Sequence, residues 1–260
     1  MSSYEKITCN IDGAVARIGL NNPQTLNALS QQMRNEIKAA IDALEADDAI
    51  RVVILAAEGR GFSSGTDLSE GLAGFATIED QIQDEYKPVI MGIYNSSKLY
   101  IAQIHGACAG IAMGIALACD LAVMADNAFM YIPFAGLSMV PDGGISHQLV
   151  RHLGTKRAMQ LYLEAARIQA PECLDYGLVN KVVAADQLAA ASQAWAQVLA
   201  EGAPLAHRHG KRCLQHAVEH DLSSTIDLEA SLQVSCSTSE DSQRAITAFF
   251  NKEKPVFQGR

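Results

Sequence analysis

Apolar and polar positions alternate over residues 4–11 and again over 14–20, on either side of Asp12-Gly13. Alternation with a period of two around an Asp-Gly pair predicts a β-hairpin. The period then lengthens. SQQMRNEIKAAIDALEAD reads as an amphipathic helix with Ser30 as its cap, and RVVILAA at 51–57 is an unbroken apolar run that reads as a buried strand. The chain therefore opens β-β-α-β. A helical segment around IEDQIQDEYKPVIMGIYNS leads to the strand LYIAQI, a glycine-rich helix, and short strands around LAVMA and AFMYI. From Asp142 onward helices dominate: GGISHQLVRHLG, TKRAMQLYLEAA, a short helical turn at PECLDYG before VNKVV, and four more helical stretches. No internal repeat, linker or low-complexity segment interrupts them.

The most apolar stretch, YIAQIHGACAGIAMGIALACDLAVMA, invites a membrane reading. Gln103, His105 and Asp120 break it, and the uncharged run between them is shorter than the ~20 residues a span needs. It reads as a buried strand followed by a buried helix. Gly106, Gly110 and Gly114 recur every fourth residue and would lay a bare stripe on that helix for another backbone to approach.

Composition narrows the partners. The chain has 260 residues, 49% of them hydrophobic, enough for one domain with a substantial core. Its formal net charge is −9 and its 20 Lys and Arg are scattered, which disfavours nucleic acid and points to a small ligand. The six cysteines contain no C-x-x-C pair, several lie in apolar runs, and the opening MSSYEKITCNIDG has no signal layout. Both features lead us to expect a reducing, cytoplasmic setting and no membrane.

Two motifs offer competing chemistry. Gly61-Phe62-Ser63-Ser64-Gly65, within GRGFSSGTDL, has the G-x-S-x-G form of a hydrolase nucleophile elbow. An elbow follows its strand directly, whereas Glu58-Gly59-Arg60 intervene here, so a turn presenting backbone N–H groups is the stronger reading, with a merely structural turn beside it. Gly106-Ala107-Cys108-Ala109-Gly110 resembles an elbow with a cysteine and is demoted likewise. His216-Ala217-Val218-Glu219-His220 fits H-x-x-E-H, yet a third ligand is missing nearby and a solvated helix face explains it; no metal is expected.

LNNPQTLNALS (20–30), VVILAAEGRGFSSGTDL (52–68), HGACAGIAMGIALACD (105–120), PFAGLSMVPDGG (133–144) and AFFNKEKPVFQG (248–259), in that order, resemble the enoyl-CoA hydratase/isomerase, or crotonase, superfamily over nearly the whole chain. The resemblance implies an α/β fold: a spiral of ββα units over 1–200, holding an acyl-CoA site, and a helical trimerisation region over 201–260. It implies an acyl-CoA thioester as substrate, CoA being part of that substrate with no separate cofactor, and a homotrimer or dimer of trimers. Two backbone donors, the N–H groups of Thr66 and Ile111, would form an oxyanion hole for a thioester enolate, each worth roughly 3 kcal/mol of barrier, with their side chains mattering little. Backbone at Ser64, Thr66 and Leu68 would hold CoA, and Phe249 and Lys252 would reach a neighbouring subunit's nucleotide.

The family's hydratases use two glutamates. By position these fall on Gly114 and Phe134, neither of which exchanges a proton. Asp142, in SMVPDGG, stands where the family's double-bond isomerases carry one acid; a helix cap is the other reading of an Asp before Gly143-Gly144-Ile145. Phe134, Phe62, Tyr86 and Met91 would make the acyl pocket apolar. A hydratase would need another carboxylate, with Glu70, Glu79 and Asp80 nearest in sequence. Thioester hydrolysis, displacement through Asp142, and non-catalytic acyl-CoA binding are further readings.

Overall fold

The structure, a computed structural model, describes residues 4–260; residues 1–3, part of the stretch read for a signal layout, lie outside them. Strands β1 (Ile7–Asp12) and β2 (Val15–Leu20) form the expected hairpin, with Gly13 at φ +58° in its tight connection. Helix α1 (Gln31–Glu45) begins where Ser30 Oγ accepts from the Met33 N–H at 3.3 Å. It buries Met33, Ile37, Ile41 and Leu44 on its hairpin side, and β3 (Val52–Ala57) follows with all six residues buried, as in a parallel strand covered on both faces.

Thereafter the chain repeats one move: a strand in a large sheet, a short strand in a small one, then a helix. β4 (Leu99–Ile104), β5 (Ala107–Ala109) and α4 (Ile111–Leu117) make one such turn. β6 (Leu121–Ala125) and β7 (Phe129–Tyr131) begin the next, which continues through a 3₁₀ turn at Phe134–Leu137 into α5 (Ile145–Leu163), broken at Gly154 as the two helical patterns predict. β8 (Arg167–Gln169), α6 (Ala170–Asp175), β9 (Lys181–Val183) and α7 (Leu188–Ala200) complete the core. The large sheet runs β1-β2-β3-β4-β6-β9, parallel from β2 onward, and the small sheet runs β5-β7-β8. This is the α/β spiral that the resemblance implies, followed by α8 (Pro204–Glu219), α9 (Leu222–Ser237) and α10 (Glu240–Asn251).

The segment after β3 is one continuous run in three parts: α2 (Ile78–Gln81), a π-helical turn (Ile82–Tyr86) and α3 (Lys87–Tyr94). Pro88 supplies the cause of the π turn: it has no N–H for the carbonyl one turn back, and the Lys87 N–H bonds five residues back to Ile82 instead.

The glycine stripe needs correction. Gly106 precedes β5, Gly110 caps α4, and only Gly114 lies within the helix, so they share no face. Close backbone approach still accounts for Gly106 and Gly114, and a φ of +53° for Gly110. A Cβ on Gly106 would lie 2.3 Å from the Arg60 carbonyl oxygen, and one on Gly114 2.3 Å from that of Gly143.

Among the described residues no helix is long and apolar enough to cross a membrane. The C-terminal helices are tied to the spiral by Lys211 of α8, which reaches a buried position, ion-pairs with Asp120 at 3.0 Å and donates to the Ile93 carbonyl at 3.1 Å. Lys211→Met should therefore lower unfolding free energy by about 3 kcal/mol, because it strands a buried carboxylate. The deficit should shrink as pH falls into the acid range, because burial raises the Asp120 pKa and lets the stranded carboxylate take a proton; denaturant titrations at neutral and acid pH read both effects.

Candidate active site

Beyond β3 the chain turns at Gly59 and Gly61, and residues 62–64 run alongside β5. Phe62 N–H donates to the His105 carbonyl at 2.8 Å, Ser63 N–H to Ala107 at 3.0 Å, and Ala109 N–H returns to Ser63 at 2.9 Å. This ladder brings two glycine turns together. Gly65 has φ +94°, and a Cβ there would stand 2.9 Å from the Ala109 carbonyl oxygen; Gly110 has φ +53°, and its Cβ would lie 3.9 Å from Gly65 Cα. Thr66 and Ile111 follow these glycines directly. Among the described residues neither N–H has a hydrogen-bond acceptor, Ile111 being the first residue of α4, where the helix supplies none.

Asp142 approaches from the loop before α5. Its neighbour Gly143, at φ +60°, presses on the first turn of α4, since a Cβ there would meet Ile111 Cγ1 at 2.7 Å. Tyr162 Oη steadies this loop by donating to the Met139 carbonyl at 3.1 Å. The cap of α5 is Gly144, with no side-chain capping bond, so Asp142 does not serve as the helix cap. Its Oδ1 is buried with no hydrogen-bond partner. Burial pushes its pKa up to about 6, opposed by its own backbone N–H.

Gly114 and Phe134, the positions to which the resemblance assigns the hydratase glutamates, are both crowded. The Gly143 carbonyl occupies the space into which a Gly114 side chain would grow, and Phe134 is buried. The alternative carboxylates are engaged or remote in role: Glu70 accepts from the Gln31 N–H at 2.7 Å, Asp80 closes a capping box with Thr77, and Glu79 is exposed in the same helical turn.

Other expected residues fall in varied places. Ser63 is buried, donates to the Asn27 carbonyl at 2.7 Å and accepts from the Gly65 N–H at 3.1 Å, and no helix leaves the motif as an elbow requires. Phe62 has 0% exposure, so it supports the turn from beneath and lines no pocket, contrary to expectation. Ser64 has its N–H taken by the Leu26 carbonyl at 3.0 Å. Leu68 and Met91 are exposed, whereas Tyr86 is buried with its hydroxyl 3.1 Å from Thr66 Oγ1. Phe249 and Lys252 lie exposed at the end of α10.

Asn27, Arg34 and Glu85 support the site and escaped the sequence reading. Asn27, at φ +53° and fully buried, donates to the Glu58 and Gly61 carbonyls and so holds the chain entering the first turn. Arg34, on the apolar side of α1, is ion-paired with Glu85 of the π turn, and its Nη1 donates to the Tyr86 hydroxyl. A charged residue inside an apolar helical face was the available signal. The His216 and His220 rings stack in parallel, 3.7 Å apart, so their nitrogens do not converge; among the described residues no group of three or more His, Cys, Asp and Glu could hold a metal.

Comparison with known proteins agrees with this geometry. The model of the family described as enoyl-CoA hydratase/isomerase matches residues 10–260. A short-chain-enoyl-CoA hydratase of Clostridium acetobutylicum is 32% identical over 250 residues, covering 94% of each chain. The 1,2-epoxyphenylacetyl-CoA isomerase of Escherichia coli is 28% identical over 260 residues, covering 98% of this chain and 99% of its own. A crystal structure of an enoyl-CoA hydratase subunit I from Geobacillus kaustophilus superposes with a TM-score of 0.93 at 33% identity, covering 100% of both chains. With a spiral that superposes end to end and a family match over nearly its full length, the chain belongs to the enoyl-CoA hydratase/isomerase family.

Proposed function

We propose that this acyl-CoA enzyme is an enoyl-CoA isomerase that moves a double bond with Asp142 as its acid and base. One observation carries the reading: the buried Oδ1 of Asp142 has no partner, beside the turn of α4 that begins with the unbonded Ile111 N–H, while both hydratase acid positions are filled by backbone or by Phe134. Asp142 takes a proton from C2 of a 3-enoyl-CoA, and the electron pair moves into the thioester as a dienolate. Its oxygen accepts from the N–H groups of Thr66 and Ile111, and Asp142 returns the proton to C4. The proton is conserved and the step is redox-neutral, so it balances without a cofactor. A carboxyl with a pKa near 6 is basic enough to take the proton and acidic enough to give it back.

The same reading assigns CoA to the backbone of Ser64, Thr66 and Leu68, and gives Tyr86, Met91 and Phe134 to the acyl side. The exposed Phe249 and Phe250, packed edge to face, and the αL residue Lys252 suit contact with a second copy and its nucleotide, in a trimer or a dimer of trimers. Six free cysteines suit a reducing cytoplasm.

Asp142→Asn should keep the fold and CoA affinity while kcat on 3-hexenoyl-CoA falls about 100-fold or more. Near-wild-type turnover would remove Asp142 as the catalyst. Because the working form is the deprotonated base, wild-type kcat/KM should climb with pH up to about 6 and level off above it, and a pH series reads this limb. Gly114→Glu should not create a hydratase: the side chain has no room beside the Gly143 carbonyl, so stability drops by about 2 kcal/mol or more and crotonyl-CoA gains no water. A folded variant that hydrates crotonyl-CoA would count against the single-acid site. Sedimentation should give a trimer or hexamer, and a monomer that still binds CoA tightly would contradict the assembly.

A further inference from the structure

Arg34 is 2% exposed, in the middle of an otherwise apolar helix face. A guanidinium has donors and no acceptor, so every bond it makes points outward from it. Its Nε donates to Glu85 Oε2 at 2.7 Å, Nη2 completes the ion pair, and Nη1 serves both the Leu29 carbonyl and, at 3.0 Å, the Tyr86 hydroxyl. The Tyr86 oxygen must therefore accept, and its single proton goes to Thr66 Oγ1 at 3.1 Å. Burial is the main reason the phenol stays protonated, with the Asp142 and Glu85 charges adding to it. Thr66 Oγ1, having accepted that proton, must direct its own elsewhere. Among the described residues it has no acceptor, and Thr66 is partly exposed.

We propose that the Thr66 hydroxyl is a third hydrogen-bond donor to the bound acyl thioester, aimed and polarised by the one-way chain from Arg34 through Tyr86. The proposal rests on the acyl-CoA reading of the site and departs from the expectation that the side chain there is idle. Each link constrains the next. Glu85 cancels the guanidinium charge, so donors reach the site without a net cation that would hold Asp142 ionised and weaken it as a base. The Arg34 Nη1 bond to the Leu29 carbonyl also stiffens the turn itself, because the Leu29 N–H donates to the Gly65 carbonyl at 2.8 Å. Donors joined in series strengthen one another, so the last proton is more strongly presented than that of an isolated threonine. Charge that grows on the thioester oxygen during reaction is what such a donor meets. Arg34 and Tyr86 are positioning residues, and the donating group is that of Thr66.

The test uses hexanoyl-CoA labelled with ¹³C at the thioester carbonyl, an unreactive probe, whose carbonyl stretch is read by infrared difference spectroscopy, together with kcat on 3-hexenoyl-CoA. In the wild type the stretch should move to lower frequency on binding. Thr66→Val should lose part of that movement and about tenfold in kcat, the scale of one hydrogen bond to a charged oxygen, with KM within twofold. Thr66→Ser, which restores the hydroxyl, should recover most of both. Tyr86→Phe should cost less than Thr66→Val and add nothing to it, since the two act through one proton. A Thr66→Val enzyme with wild-type stretch and kcat overturns the donor, as do a loss that serine fails to restore and additive losses in the double variant. A wild-type enzyme whose bound probe shows no movement overturns the oxyanion reading itself, and this donor with it.

Discussion

The site exists because backbones touch where side chains are absent. Gly65 lies against the Ala109 carbonyl, Gly106 against Arg60 and Gly61, and Gly114 against the Gly143 carbonyl, each at a distance a Cβ would violate. These approaches draw the turn after β3, the start of α4 and the loop before α5 to one place. Gly65, Gly106 and Gly143 also carry positive φ, which an L side chain adopts only with strain. Two N–H groups without acceptors, those of Thr66 and Ile111, follow the glycines at this contact. The approach at Gly114 also bears on the proposed chemistry, for the carbonyl that lies against it leaves no room for a side chain there.

Polar groups buried behind this contact hold it in register. Ser63 and Asn27 satisfy carbonyls and an N–H on the incoming chain, and Arg34 does the same from α1. A buried guanidinium is costly unless paired and bonded, and Glu85 and the π turn that presents it meet that need. The distortion caused by Pro88 thus sits in the segment that delivers Glu85 and Tyr86 to Arg34. Helix irregularity and the electrostatics of the site have a common origin in that segment.

Much of this was legible in the sequence, for identifiable reasons. Alternation around Asp12-Gly13, the Ser30 cap and the apolar runs are local signals, and the structure forms those elements from local causes. The glycine run misled because spacing by four suggests one helical face, whereas Gly106 and Gly110 each face a different stretch of chain. Phe62 misled in a similar way: motif position put it at the pocket, and its full burial beneath the turn depends on a ladder with β5 that local pattern does not encode. β8, three residues long, carries too little periodicity to register. The pairing of Arg34 with Glu85 spans two helices, so it appears only when the chain folds.

Asp142 shows what the arrangement costs. Its Oδ1 is buried and unpartnered, and burial pushes its pKa up to about 6, above the usual range for an aspartate. A group shifted in that direction contributes stability only while protonated, and that contribution is lost as pH rises through its folded pKa. At neutral pH, therefore, the ionised carboxylate works against the folded state, and the nearby backbone, apart from its own N–H, does nothing to relieve it. A cap or an ion pair would remove the penalty and lower the pKa together, leaving a weaker base. The loop instead gives the cap of α5 to Gly144 and leaves Asp142 Oδ1 without a partner. Basicity and instability here are two expressions of one cause, the burial of a carboxyl whose Oδ1 has no hydrogen-bond partner.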